Sequence, residues 1–422
     1  MAHRRRAFTM ARARGARGLA WGLLAALLLL LAAGCLNAPH PRLRPNAAVS
    51  ATFAPILPAA GTAQSPTPSP TQAATPAPTV TPSPTATPSP TPLPEFTLLF
   101  TGNIVPARCV QAATESRGNA DYLYAHVAPA IRSADLAIGV LNAALSDYPP
   151  MTGCRPTFVL VGRSYHADAL ARAGFDVINV ATNHIKNCGL LDCGDRAFLE
   201  TLDNLRRAGL YIVGAGENLD QALEPLILTV KGVRIAFVAL GYIEPKAYAG
   251  PNTPGIAVLN EANLHEAMAR AHAQHPDLII AMPHWGPEYD PQPDYLQRHF
   301  ARLFVRAGAD VVVGNHAHVV QGVEVVDHVP VFYSLGNFMF DQDWSEETKQ
   351  GVILEIRFRG ARLVGWRFRP TVTEGDGTVR WATPEEARVI LQRMQAVSRP
   401  ATLVPLTAGE WVPWGEGDVS SP

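Results

Sequence analysis

Cysteine is scarce in this chain of 422 residues, at five. That excludes a small scaffold held together by disulfides. Charge is scarce too, at 17% of residues, and none occurs between Asn46 and Pro94. No acid precedes residue 35, where six Arg stand alone, and the rest of the chain carries 29 Lys+Arg against 36 Asp+Glu. This balance argues against nucleic-acid binding, which needs a basic surface. No internal repeat is evident. Gly214-Ala215-Gly216 lacks the remainder of a dinucleotide fingerprint and reads only as a loop. Proline is abundant, at 37, so part of the chain is not expected to be globular.

The Arg-rich start runs into an apolar stretch, Leu19 to Ala33, and then Gly34-Cys35. A basic segment, an apolar run and small residues before a cysteine resemble a bacterial lipoprotein signal. Residues 1–34 are then the signal peptide, and Cys35 is the lipidated N-terminus that holds the protein on a membrane. The apolar run is shorter than the ~20 residues of a spanning helix, so an uncleaved anchor is the weaker reading. Either way the bulk of the protein is expected outside the cytoplasm. Residues 36–94 hold 16 Pro, many in Thr-Pro or Ser-Pro pairs. Such a segment cannot bury a core and favours extended polyproline II. Residues 35–95 therefore read as a stalk.

From Glu95 onward, apolar runs alternate with amphipathic segments. Strands are expected at Phe96–Thr101, Leu136–Leu141, Val177–Val180, Tyr211–Val213, Leu226–Val230, Arg234–Leu240, Leu278–Met282 and Val311–Val313. Helices are expected at Asp121–Ser133, Tyr165–Ala173, Asp195–Ala208, Glu261–Ala273 and Tyr295–Ala307. Four further strands follow, at Val320–Val326, Val331–Tyr333, Val352–Phe358 and Arg362–Phe368. Alternation followed by hairpins indicates a layered α/β domain. Thr383-Pro384-Glu385-Glu386 is a strong helix start. It opens a C-terminal segment, 376–422, expected to pack on the domain through Val389, Ile390, Met394 and Val397.

The polar residues after the strands carry the chemistry. Asn103, Asn142, Asn183-His184, His284 and Asn315-His316-Ala317-His318 each follow an apolar run. Ligand sites of open α/β sheets form outside the carboxyl ends of strands. Imidazole is the commonest metal ligand, so His184, His284, His316 and His318 are candidates for one divalent cation, with Asn103 and Asn183 as amide donors. His265, His272 and His299 lie on expected helices and read as surface or packing residues.

Residues 96–375 resemble the CapA family of bacterial poly-γ-glutamate capsule synthesis proteins, which share the calcineurin-like metallophosphoesterase fold. The matching pieces are Gly102-Asn103-Ile104-Val105-Pro106-Ala107-Arg108, Thr182-Asn183-His184, His284-Trp285-Gly286-Pro287-Glu288-Tyr289, Gly314-Asn315-His316-Ala317-His318-Val319-Val320-Gln321 and Ser334-Leu335-Gly336-Asn337-Phe338. The resemblance implies a four-layer αββα sandwich and a divalent metal (Mn, Zn or Fe). It also implies a hydrolytic reading, with water as nucleophile and Arg108 orienting an anion. Glu288, after the His-Trp-Gly turn, is expected to act as acid/base or to orient His284, and Asn337, after another strand, to line the same cleft. The implied partners are an anionic surface polymer or its precursor and the membrane proteins of capsule synthesis and export. Asn103, Ala144 and Asn187 depart from the family pattern, standing where acids are usual. Two ions would lose the counter-charge that offsets their repulsion, so one ion is expected rather than two. The same departures leave open a binding or assembly subunit without catalysis.

Cys109, Cys154, Cys188 and Cys193 remain after Cys35. An even number in an oxidising compartment indicates disulfides. Three connectivities exist; Cys109–Cys154 and Cys188–Cys193 are the favoured pairs. The Cys188/Cys193 spacing is at the long end for a zinc ligand pair, so a four-cysteine zinc site is the weaker reading.

Overall fold

The computed structural model describes residues 93–148, 150–188, 193, 195–399 and 406–415. The signal, Cys35 and all but the end of the stalk lie outside the described residues. Two sheets organise the rest. The first has nine strands. Its core is β1 (Glu95–Ile104), β2 (Leu136–Leu141), β3 (Val177–Asn179) and β4 (Tyr211–Val213), all parallel. The second sheet has six: β5 (Leu226–Val230), β6 (Val233–Val238), β7 (Leu278–Ala281), β8 (Val311–Val313), β9 (Val323–Val326) and β10 (Val329–Phe332). They lie in the order β9-β10-β8-β7-β6-β5, with β6, β7, β8 and β10 parallel. The chain then returns to the first sheet. β11 (Asn337–Met339) joins the end of β1, and β12 (Gln350–Arg359), β13 (Arg362–Thr373) and β14 (Val379–Trp381) extend it antiparallel. A last short strand, β15 (Val412–Pro413), lies on β13.

Side-chain alternation explains the layering, because successive strand residues face opposite sides. Ile235, Phe237, Leu278, Ile280, Val311 and Val313 of the second sheet join Leu98, Phe100, Leu354 and Phe368 of the first in one core. Ala236, Val238, Ile279, Ala281 and Val312, one position out of step, face a second core. That core is closed by α4 (Glu261–Ala273) and α5 (Tyr295–Arg306). The first sheet is flanked by α1 (Arg108–Arg117), α2 (Tyr165–Ala173) and α3 (Arg196–Arg207); Ala167, Leu170, Phe198 and Leu202 bury against it. The four-layer αββα order implied by the resemblance is the order found. α5 and the C-terminal α6 (Pro384–Ala396) both start with reciprocal capping boxes, Asp294/Gln297 and Thr383/Glu386. α6 buries Ile390, Leu391 and Met394, with Val389 and Val397 half-buried.

One expected helix is broken. Asp121–Ser133 forms a 3-10 turn at Asp121–Tyr124 and a single α turn at Ala128–Ile131. Pro129 lacks the N–H a continuous helix would need there, and its ring crowds the preceding turn. Conversely α1 was not anticipated. Its buried face is Val110, Gln111 and Thr114, too polar to read as a core stripe.

Candidate functional site

The strand ends meet. Asn103 near the end of β1 stands in register with Asn337 of β11. Asn142, just past β2, accepts the His184 backbone N–H at 3.0 Å and so ties down the loop after β3. Thr182 reinforces it by donating to the Leu141 carbonyl at 2.7 Å. Beyond β7 and β8, His284–Trp285 and Asn315–His316 continue as a short parallel ladder. The buried Trp285 indole anchors that ladder by donating to the Tyr333 carbonyl at 2.9 Å.

His284 is the hinge of the cluster. Its Nε2 lies 3.0 Å from Asn183 Oδ1 and 3.1 Å from His316 Nδ1. One ring hydrogen cannot serve both, and His284 Nδ1 has no partner. His318 Nδ1 lies 2.8 Å from Asn337 Oδ1. The Asn337 amide donates to Gln342 Oε1 and to the Thr348 carbonyl. That orients its oxygen toward His318, so His318 Nδ1 carries the hydrogen and Nε2 keeps its lone pair. This Nε2 is 4.0 Å from Glu288 Oε1. One ligand atom each from Glu288, His316 and His318 falls within a 4.8 Å span. Asn103 Nδ2 is 3.5 Å from both His318 Nδ1 and Asn337 Oδ1, while its own Oδ1 is buried and unpartnered.

The three imidazoles are shielded from solvent and uncharged at neutral pH. His284, His316 and His318 are at most 1% exposed. Burial holds all three below the ordinary imidazole pKa, His284 and His316 well below. His184 is pushed down to about 3, first by burial and then by His318 and Arg108. Neutral imidazoles are the form that ligates a metal. Four rim residues hold left-handed backbones: Arg108 (φ 52°), Tyr289 (63°), His316 (106°) and His318 (59°). Such strain outside glycine is characteristic of functional sites.

The other expected residues fall as follows. His184 lies near the cluster but turns Nδ1 to Asn187 Nδ2 at 3.1 Å; Asn183, its neighbour, is the group against His284. Glu288 faces His318 rather than His284. Arg108 is engaged by Asp341, Nε at 3.0 and 3.2 Å, with Nη1 on the Thr157 carbonyl at 3.2 Å. Its guanidinium lies 4.7 Å over Phe340, which in turn contacts His318. Asp343 is exposed. Ala144 is buried with Val161, Cys188, Cys193 and Ala197 in a small apolar cluster. The disulfides are Cys109–Cys154 and Cys188–Cys193; they fasten the segments that follow Arg108 and Asn187. His272 and His299 are occupied on helix surfaces, by the Ala307 carbonyl and Glu261. Sequence reasoning missed Tyr289, which stacks on His318 with ring centroids 5.9 Å apart, and the Gln342/Thr348 clasp on Asn337. Tyr289 adjoins Glu288 in the His-Trp-Gly-Pro-Glu-Tyr segment, a signal that was there to use. The clasp left none.

Comparison with known proteins gives a consistent result. A model of the family described as bacterial capsule synthesis protein PGA_cap matches residues 97–342. PGA biosynthesis protein CapA of Bacillus subtilis (strain 168) is 32% identical over 262 residues, covering 62% of this chain and 67% of that protein. Capsule biosynthesis protein CapA of Bacillus anthracis is 32% identical over 273 residues, covering 63% and 64%. The chain thus spans about two thirds of these relatives, slightly less for the second. Among solved structures, a 5'-nucleotidase precursor from Thermus thermophilus aligns with TM-score 0.38 at 15% identity, covering 72% of this chain and 58% of that one. With the family match spanning well over half its length, the chain belongs to the bacterial capsule synthesis protein family PGA_cap.

Proposed function

We propose that this protein acts outside the cytoplasm, held on the membrane through a lipid on Cys35, in the synthesis or export of an anionic capsule polymer of the poly-γ-glutamate type. There it serves as a hydrolase that depends on one divalent cation (Mn, Zn or Fe). The observation that carries the reading is the convergence of Asn183 Oδ1, His284 Nε2 and His316 Nδ1 at 3.0 and 3.1 Å. Ligand atoms each about 2 Å from a common ion lie roughly 3 Å apart. His318 Nε2 and Glu288 lie next to them. Asn103 Oδ1, buried without a partner, also fits a donor waiting for a cation. A divalent cation bound there would supply Lewis-acid polarisation and lower the pKa of a coordinated water. Glu288, 37% exposed, can accept a proton and return it to solvent. Asn337 holds the His318 ring in place, a role that second partners of metal-binding imidazoles commonly fill. An anionic substrate reaching Arg108 has to compete with Asp341. The partners are the polymer or its precursor and the membrane proteins of the capsule machinery.

A second reading is a binding or assembly subunit without turnover. Asn103, Ala144 and Asn187 favour it, since they bring no carboxylate to the rim. Elemental analysis of the full chain in detergent, with phosphomonoester and phosphodiester assays in Mn²⁺ or Zn²⁺, separates the two. The hydrolase requires about one ion per chain and turnover that His284→Ala abolishes. No turnover, with or without an ion, removes the hydrolase and leaves the binding subunit. Loss of the protein from the membrane fraction on Cys35→Ser tests the anchor.

A further inference from the structure

On β12 and β13, Leu354, Ile356, Trp366 and Phe368 point into the core. Glu355, Arg357, Arg367 and Arg369 alternate with them and point the other way. Three arginines thus share one face, and two tryptophans hold them. Arg357 and Arg367 lie 3.9 and 4.7 Å over the Trp411 ring, and Arg369 lies 4.0 Å over Trp381. Gly365 makes this possible. It pairs with Pro413, and a Cβ at Gly365 would meet the Val412 carbonyl at 2.5 Å. Only a residue without a side chain lets β15 lie so close and lay Trp411 across the arginines. We infer that this face is a second binding surface, remote from the imidazole cluster, that takes a flexible polycarboxylate.

The chemistry selects the ligand. A guanidinium stacked by its face keeps its N–H donors free at its edge, in the plane that matches a carboxylate. Arg367 already holds one this way, binding Glu355 at 2.9 and 2.6 Å, and Arg369 shares the same carboxylate at 3.4 Å. Arg357 has no carboxylate partner among the described residues. One acid for three cations leaves the stripe positive on a chain that is otherwise acidic beyond its Arg-rich start. Arg367 and Arg369 stand about 7 Å apart along one strand, the repeat of alternate residues. The stripe therefore offers repeated contacts to a repeating acid. Stacking also restrains the long side chains beforehand, which lowers the entropy lost on binding. That the polycarboxylate is the capsule polymer rests on the function proposed above; that the surface takes polycarboxylates does not.

The test measures binding of the full chain in detergent, with chelator present so that no cation occupies the rim. The probes are poly-γ-glutamate, poly-α-L-glutamate and single-stranded DNA. Both polyglutamates should bind, more weakly at high salt, and Arg357→Gln with Arg369→Gln should lower affinity by about tenfold or more. Trp411→Leu, which keeps the charges but removes the support, should weaken binding several-fold. Arg207→Gln, which removes an exposed cation of α3 paired with Asp168, should bind like wild type. If poly-α-L-glutamate binding depends on the two arginines and poly-γ-glutamate does not bind, the surface stands and the capsule reading falls. If poly-γ-glutamate binds wild type and the double variant equally, the surface falls and the capsule reading stands. No binding of either polymer, or tighter binding of DNA, overturns the surface.

Discussion

The two sheets contribute unequal halves to the rim. The first delivers Asn103, Asn142, Asn183, His184 and Asn337, amides with one imidazole. The second delivers His284, His316 and His318, with Glu288 beside them. The amide half is mostly spent on structure: Asn142 pins the His184 loop and Asn337 orients His318. The imidazole half has lone pairs to spare. The difference teaches that the imidazole lone pairs and the amides that position them have separated onto different sheets.

Acid should strain that division most. The depressed imidazoles are neutral when folded and take up protons when unfolded. Stability is therefore complete above about pH 6.5 and falls as pH drops toward the folded values, about 3 for His184 and for the buried His166 of α2. Each contributes up to several kcal/mol, comparable in sum to the stability of a domain. The metal-free chain should unfold before pH 3, followed by circular dichroism. Persistence of the fold there would mean the rim is wetter than described.

Ala144→Glu comes next. It restores a family acid by alignment, yet Ala144 is fully buried beside Cys188 and Cys193. The unpaired carboxylate should cost about 3–5 kcal/mol, read as a lowered denaturant midpoint. A gain in metal affinity without loss of stability would place Ala144 in the amide half after all. His284→Ala removes the ring that touches both Asn183 and His316. Metal affinity by calorimetry should drop at least about a hundredfold, since even supporting residues cost ten to a hundredfold. Asn103→Asp adds charge to the amide half and should raise affinity about tenfold; the full Coulomb term between a carboxylate and a divalent ion, ~8 kcal/mol at 4 Å and an effective dielectric of 20, is an upper bound. No change would separate Asn103 from the ion. Glu288→Gln should be mildest, a several-fold loss, because its carboxylate is partly solvated and screened.

Much of this was legible beforehand, for local reasons. Runs such as Leu278–Met282 and Val311–Val313 read as strands, and the His or Asn after each strand end lies where the chain leaves the sheet. The helix boundaries at Tyr165–Ala173 and Glu261–Ala273 were read without error, because amphipathic period and end signals agree there. What escaped depends on direction and distance. Whether Asn183 or His184 meets His284 is decided by the turn geometry of one loop. Arg108 and Asp341 are 233 positions apart, and nothing in either segment announces the pairing. Collinear alignment put Ala144 where an acid belongs, but the backbone there pairs with Val161–Gly162 and points the methyl group at a disulfide.

The left-handed conformations at Tyr289, His316 and His318 have a practical bearing on breeding tougher variants. Glycine at the exposed Tyr289 would relax the chain, and a hunt for heat tolerance alone would reward it, whereas at His316 and His318 the lost buried ring costs more than the strain. Cultures adapted to higher temperature could thus keep a sturdier protein that has lost the ring covering His318, so such selections should score the surface coat made as well as survival.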